Sequence, residues 1–117
     1  MRTSEKKINK TLDKQIQKTF AQLVADIDKS NDAQSFLTSF FTNSEYETFA
    51  KRLAIAYWLK KGRSYTNIRT NLKVSSATIA SVQEMMKNKG FQEALKIVEA
   101  DEWAASWSKK IQKFVGN

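Results

Sequence analysis

The side chains best suited to act on a partner fall between Lys51 and Ser81. Residues 51–73 hold seven Lys/Arg and no Asp or Glu, and the small, hydroxyl-rich run Ser75, Ser76, Ala77, Thr78 follows, with Ala80 and Ser81 a turn further on. Cations in such a cluster neutralise phosphates, while the hydroxyl-bearing residues of the run cap and begin a helix as they do anywhere. A solvated basic face that aids solubility has the same composition, so charge alone leaves both readings open. Spacing adds to it. The stretch SYTNIRTNLKVSSATIASV (64–82) reads as a short amphipathic helix, a tight turn and a second helix capped by Ser75. Two helices joined so closely cross steeply, and the second projects far enough to enter a DNA major groove.

Other chemistries fare poorly. The 117 residues contain no Cys and no His, which excludes disulfides, thiol nucleophiles, imidazole catalysis and ordinary zinc sites. Glu99, Asp101 and Glu102 form an acidic group without a second acidic segment or a phosphate-binding glycine loop. They read as a solvated face, no nucleophile–base pair can be assembled, and an enzyme is the poorest reading. Trp58, Trp103 and Trp107 sit at helical spacings that favour core or dimer-interface packing over a stacking platform for single strands.

The elements that must position the basic cluster are helical. Proline is absent and glycine occurs only at 62, 90 and 116, while 41% of residues are apolar. The length fits one all-α domain. Ile8, Leu12, Ile16, Phe20, Leu23 and Ile27 recur at helical steps, predicting a first helix from about Ser4 to Ile27 with a narrow apolar stripe suited to a partner helix. Asp32 is expected to cap a short, buried second helix through Phe41. Thr42 and Glu45 read as a capping box opening a third helix to about Lys61, with Phe49, Leu53, Ala56, Tyr57 and Leu59 inward. Ser64 caps the fourth helix, with Tyr65, Ile68 and Leu72 inside. Ser75 caps the fifth, with Ile79, Val82 and Met86 inside and Ser76, Ala77, Ala80, Ser81 and Glu84 outside. Gly90 is expected to end it, and a sixth helix to run from Phe91 to Phe114. The formal net charge is +8, and the absence of a long apolar run points to a soluble, cytoplasmic protein.

From Phe40 to Val82 the chain resembles the Trp repressor superfamily, especially its small YerC-like branch. The resemblance is carried by the Thr42-x-x-Glu45 cap, Arg52, the basic end Lys60-Lys61, then Ser64-Tyr65 and Ala77-Thr78-Ile79. It implies an intertwined homodimer in which residues 1–61 and 91–117 form the dimerisation core and 64–88 the helix-turn-helix head. Such a dimer would read a pseudo-palindromic operator with recognition helices about 34 Å apart. By position, Ser76, Ala77 and Ala80 match residues that approach base edges, and Thr66 and Arg69 match positions on the preceding helix that meet DNA.

The same resemblance places Thr42 and Arg52 at positions that contact a tryptophan corepressor. The arginine expected to pair with the ligand carboxylate falls at Ser81, whose hydroxyl cannot replace a guanidinium fork, so no tryptophan dependence is expected. Lys73 stands where glycine is frequent and must adopt a left-handed or altered turn. The leading expectation is a homodimeric, sequence-specific DNA-binding regulator, a repressor, without cofactor or metal. Lys60, Lys61, Arg63, Arg69 and Lys73 are expected on phosphates, and Thr66, Ser75, Ser76, Ala77, Thr78, Ala80 and Ser81 at the groove. The alternative is a helical protein–protein interaction module on the same fold.

Overall fold

The computed structural model describes residues 7–101 and residue 110. Six α-helices and no strand occur among the described residues: α1 (Lys10–Asp26), α2 (Ser30–Phe40), α3 (Asn43–Lys60), α4 (Tyr65–Leu72), α5 (Ser76–Met85) and α6 (Lys89–Ala100). The all-α, helix-turn-helix expectation holds. The chain divides into two compact units, one ending at Asn43 and the other beginning at Ser44.

In the first unit, α1 starts at Lys10 and not near Ser4. The Asn9 side chain accepts from the backbone N–H of Thr11 (2.8 Å) and Leu12 (3.2 Å), so it caps the helix and leaves residues 7–9 outside it. The second helix also begins earlier than expected, at Ser30, which puts Asp32 in its first turn instead of at its cap. There a carboxylate still complements the positive end of the helix dipole. Phe36 lies 5.0 Å from Phe40 and 6.3 Å from Phe20, measured between ring centroids, and Phe20 and Phe40 stack at 5.5 Å. Yet no residue of α1 or α2 is buried, contrary to the expectation for α2. The rings cluster, yet Phe20 stays 38% and Phe40 59% exposed.

The second unit has a core of its own. Five consecutive residues of α3, Ala54 to Trp58, are buried, a helix enclosed on all sides. Ile68 from α4, Ile79 and Val82 from α5 and Leu95 from α6 close around them. Phe49, expected inside, lies a turn before this enclosed segment and is exposed. Gly62 ends α3 at φ +83°, with Gly62 N–H donating to Leu59 O (3.0 Å) and Arg63 N–H to Trp58 O (3.1 Å). That pairing satisfies orphan carbonyls through a left-handed residue that glycine adopts at little cost.

Two boundaries at the end of the unit differ from expectation. Lys87 N–H and Asn88 N–H donate back to Glu84 O (3.2 Å) and Met85 O (3.0 Å), so α5 closes in tight turns before any glycine is reached. Gly90 instead falls in the first turn of α6, where a Cβ would meet nothing within 4 Å. The sixth helix begins at Lys89 and stops at Ala100, because Asp101 is extended (φ −83°, ψ 134°). Trp103, Trp107, Ile111 and Phe114 lie outside the described residues.

Candidate nucleic-acid interface

Local capping chemistry sets up the helix-turn-helix. Ser64 Oγ accepts from Asn67 N–H (3.1 Å) to start α4, and Ser75 Oγ accepts from Thr78 N–H (3.1 Å) to start α5. Between them Lys73 takes φ 56°, ψ 51°, the only non-glycine residue at positive φ among the described residues. The left-handed turn is therefore kept without glycine, at a cost of about 1–2 kcal/mol for a residue bearing a Cβ. Lys73 N–H donates to Arg69 O (3.0 Å), completing the last turn of α4.

Packing then decides which face of α5 is presented. Ile79 and Val82 are buried in the core, while Ala77, Ala80, Ser81 and Glu84 are exposed on the opposite side. Ser76 is half-buried, because Arg69 Nη1 reaches back from α4 and donates to Ser76 Oγ at 2.7 Å. The Tyr65 hydroxyl meets Gln83 Oε1 as a second link between the two helices. Side chains, and not only the turn, thus fix how α4 and α5 meet.

The cations are not equivalent. Lys60 Nζ lies 3.2 Å from Glu99 Oε1 on α6, so it is partly committed within the unit. Arg63 is half-buried, its guanidinium 5.2 Å from the Trp58 ring centroid, and its Nη1 is buried without a hydrogen-bond partner. Lys61 is exposed above Tyr57, at 5.4 Å, and Thr66 is exposed on α4. Arg69 and Lys73 are both exposed, beside the start of α5. Cations that stack or pair at a surface retain most of their freedom, since such pairs contribute about 0–1 kcal/mol. Arg63 is the exception, for its planar group is partly enclosed.

The structure brings Arg52 and Ser81, two positions at which the resemblance places corepressor contacts, into one lining. A cleft of about 550 Å³ lies where α3 faces the turn and the start of α5. Lys51 and Arg52 line it from α3 and Lys73 from the turn, with the hydroxyls of Thr48 and Ser81 nearby and no Asp or Glu in the lining. Arg52 is half-buried and sits 5.3 Å from the Phe49 ring centroid. Thr42, its companion in the resemblance, precedes α3 and is exposed. The signal available in the sequence was the helical register of Thr48, Lys51 and Arg52, which only matters once another element faces them.

Among the described residues no group of three or more His, Cys, Asp or Glu could hold a metal ion, and no helix is long and apolar enough to cross a membrane. The family model described as Trp repressor protein matches residues 15–99, from the middle of the first helix nearly to the end of the sixth. No curated protein and no solved structure matches the chain.

Proposed function

Because the chain belongs to the Trp repressor family, a family of helix-turn-helix DNA-binding regulators, we propose that it is a homodimeric, sequence-specific regulator of transcription, most simply a repressor, acting in the cytoplasm. The observation that carries this is the outward face of α5, small and unobstructed from Ala77 to Ser81, with Arg69 and Lys73 at its start. Small side chains allow close approach to base edges, and the neighbouring cations supply the phosphate grip. Direct readout through α5 is thin, since its first two turns lack Arg, Asn and Gln. Methyl contacts, water and DNA shape then carry much of the discrimination.

A dimer supplies what one copy lacks. Leu12, Ile16, Phe20 and Leu23 are all exposed along α1, and a second copy of the chain is the occupant the family resemblance implies. Two heads would engage half-sites about 34 Å apart. Placement in the YerC-like branch belongs to the same reading. Tryptophan is not a corepressor in it, because the exposed Ser81 offers no fork for a carboxylate, and calorimetric titration with tryptophan should show no heat of binding.

Selection of bound sequences from a random DNA pool tests the reading directly. Enrichment of a two-fold symmetric site, with affinity falling steeply as salt rises, is the expected result. Recovery of unenriched DNA, or no retained DNA at low salt, would remove it. A second reading, a protein–protein interaction module, is favoured by Lys60 and Arg63, which are engaged within the unit. It predicts that a protein partner survives charge reversal at Arg63 and Arg69.

A further inference from the structure

We propose that Glu99, near the end of α6, restrains DNA binding from within the chain, its carboxylate occupying Lys60 in place of a phosphate. The inference rests on the DNA-binding reading and goes beyond it, because it gives an inhibitory role to a residue outside the helix-turn-helix.

Three observations converge. The first is reach. Glu47 with Lys51 and Glu84 with Lys87 are pairs one turn apart in sequence, which form wherever the spacing allows. Glu99 Oε1 instead meets Lys60 Nζ at 3.2 Å across two helices, a contact that depends on how the fold places α6 against the end of α3.

The second is the chemistry of helix ends. A helix carries partial negative charge at its C-terminus, which favours cations there and disfavours carboxylates. Lys60, in the last turn of α3, complements that charge. Glu99 is the penultimate residue of α6, and the last turn of α6 holds no basic residue to offset it. The helix itself therefore gives no reason for a carboxylate at this position, whereas Lys60 does.

The third is location. Lys60 opens the basic run Lys60, Lys61 and Arg63 that leads into the helix-turn-helix, and it is among the cations expected on phosphates. Its side chain is 41% exposed and that of Glu99 30%, so the pair lies where a strand could reach it. At such exposure an ion pair is weak and breaks for a competing anion. A phosphate must nevertheless displace the carboxylate before it gains Lys60, so the pair lowers affinity for DNA of any sequence without abolishing it.

The test is a cycle of Glu99→Gln, Lys60→Gln and the double variant in the full chain, each titrated with a mixed-sequence duplex across salt concentrations. Loss of a surface pair should leave every melting temperature within a few degrees of wild type, so changes in binding do not come from misfolding. Glu99→Gln should bind about two- to fivefold more tightly at low salt, with a salt slope steeper by about 1, as Lys60 gains a phosphate and releases its counterion. Lys60→Gln alone should leave the slope nearly unchanged, and the double variant should match it. If Glu99→Gln binds as wild type does, the proposal fails while the DNA-binding reading stands. It fails equally if most of the gain survives in the double variant, or if Lys60→Gln alone flattens the slope by about 1, since Lys60 would then already reach DNA past Glu99. Binding by Glu99→Gln alone, with none by wild type, would be the extreme form of the restraint and supports it. Should neither bind duplex at any salt, the DNA-binding reading itself falls and takes the proposal with it.

Discussion

The helices on either side of Asn43 solve opposite problems. From Ser44 onward the chain encloses its own core, with Ile68 and Ile79 completely buried and Leu95 nearly so. Before Asn43 neither α1 nor α2 buries a residue: Leu12 is 49% exposed and Ile16 52%. The difference lies in the number of seams. Four helices can close around a shared centre, whereas two helices share a single seam. One region closes on a centre of its own, and the other keeps its apolar side chains exposed.

The strongest break in that contrast is a core truncation. Ile68→Ala should destabilise the protein by about 2–5 kcal/mol, read from the denaturant midpoint, because the neighbours from α3 and α5 relax only partly into the space. The same truncation at Ile16 should cost little in dilute protein, where its methyls already face water. At higher concentration it should weaken self-association by about thirtyfold, from roughly 1 kcal/mol in each of two copies, as measured by sedimentation equilibrium. Equal destabilisation by the two variants in dilute protein would erase the distinction between the enclosed and the open region.

Legibility in the sequence followed the range of the interactions. Ser64, Gly62 and Ser75 punctuate the chain where expected, since a cap depends on atoms three residues away. Ile68, Ile79 and Val82 were readable as core from helical period alone. Boundaries failed where two local signals competed: Asn9 overrode the apolar stripe that runs back to Ile8, and the turns at Lys87 and Asn88 closed α5 before Gly90 could. What stayed hidden was every side-chain relation across elements. Arg69 on Ser76, Lys60 on Glu99 and the placement of Lys51 and Lys73 along one cleft require knowing which helix faces which. The candidate site was therefore legible as a set of residues, but not as a cleft with some cations committed and others available.

The smallest effect separates architecture from recognition at Ser75. Its hydroxyl accepts from Thr78 N–H at 3.1 Å and lies 2.9 Å from Thr78 Oγ1, so Ser75→Ala should cost about 1 kcal/mol through the lost cap. Ser75→Asp keeps a cap acceptor and adds a negative charge favourable to the helix start, so its melting temperature should stay within a few degrees of wild type. That same carboxylate would sit in the cleft lining alongside Lys51 and Lys73 and repel any phosphate approaching α5. DNA affinity at low salt should therefore fall more for Ser75→Asp than for Ser75→Ala, although the aspartate variant is the more stable of the two. If affinity instead tracks stability across the pair, Ser75 acts on DNA only by holding α5 together, and the head reads its target without help from charge at this helix end.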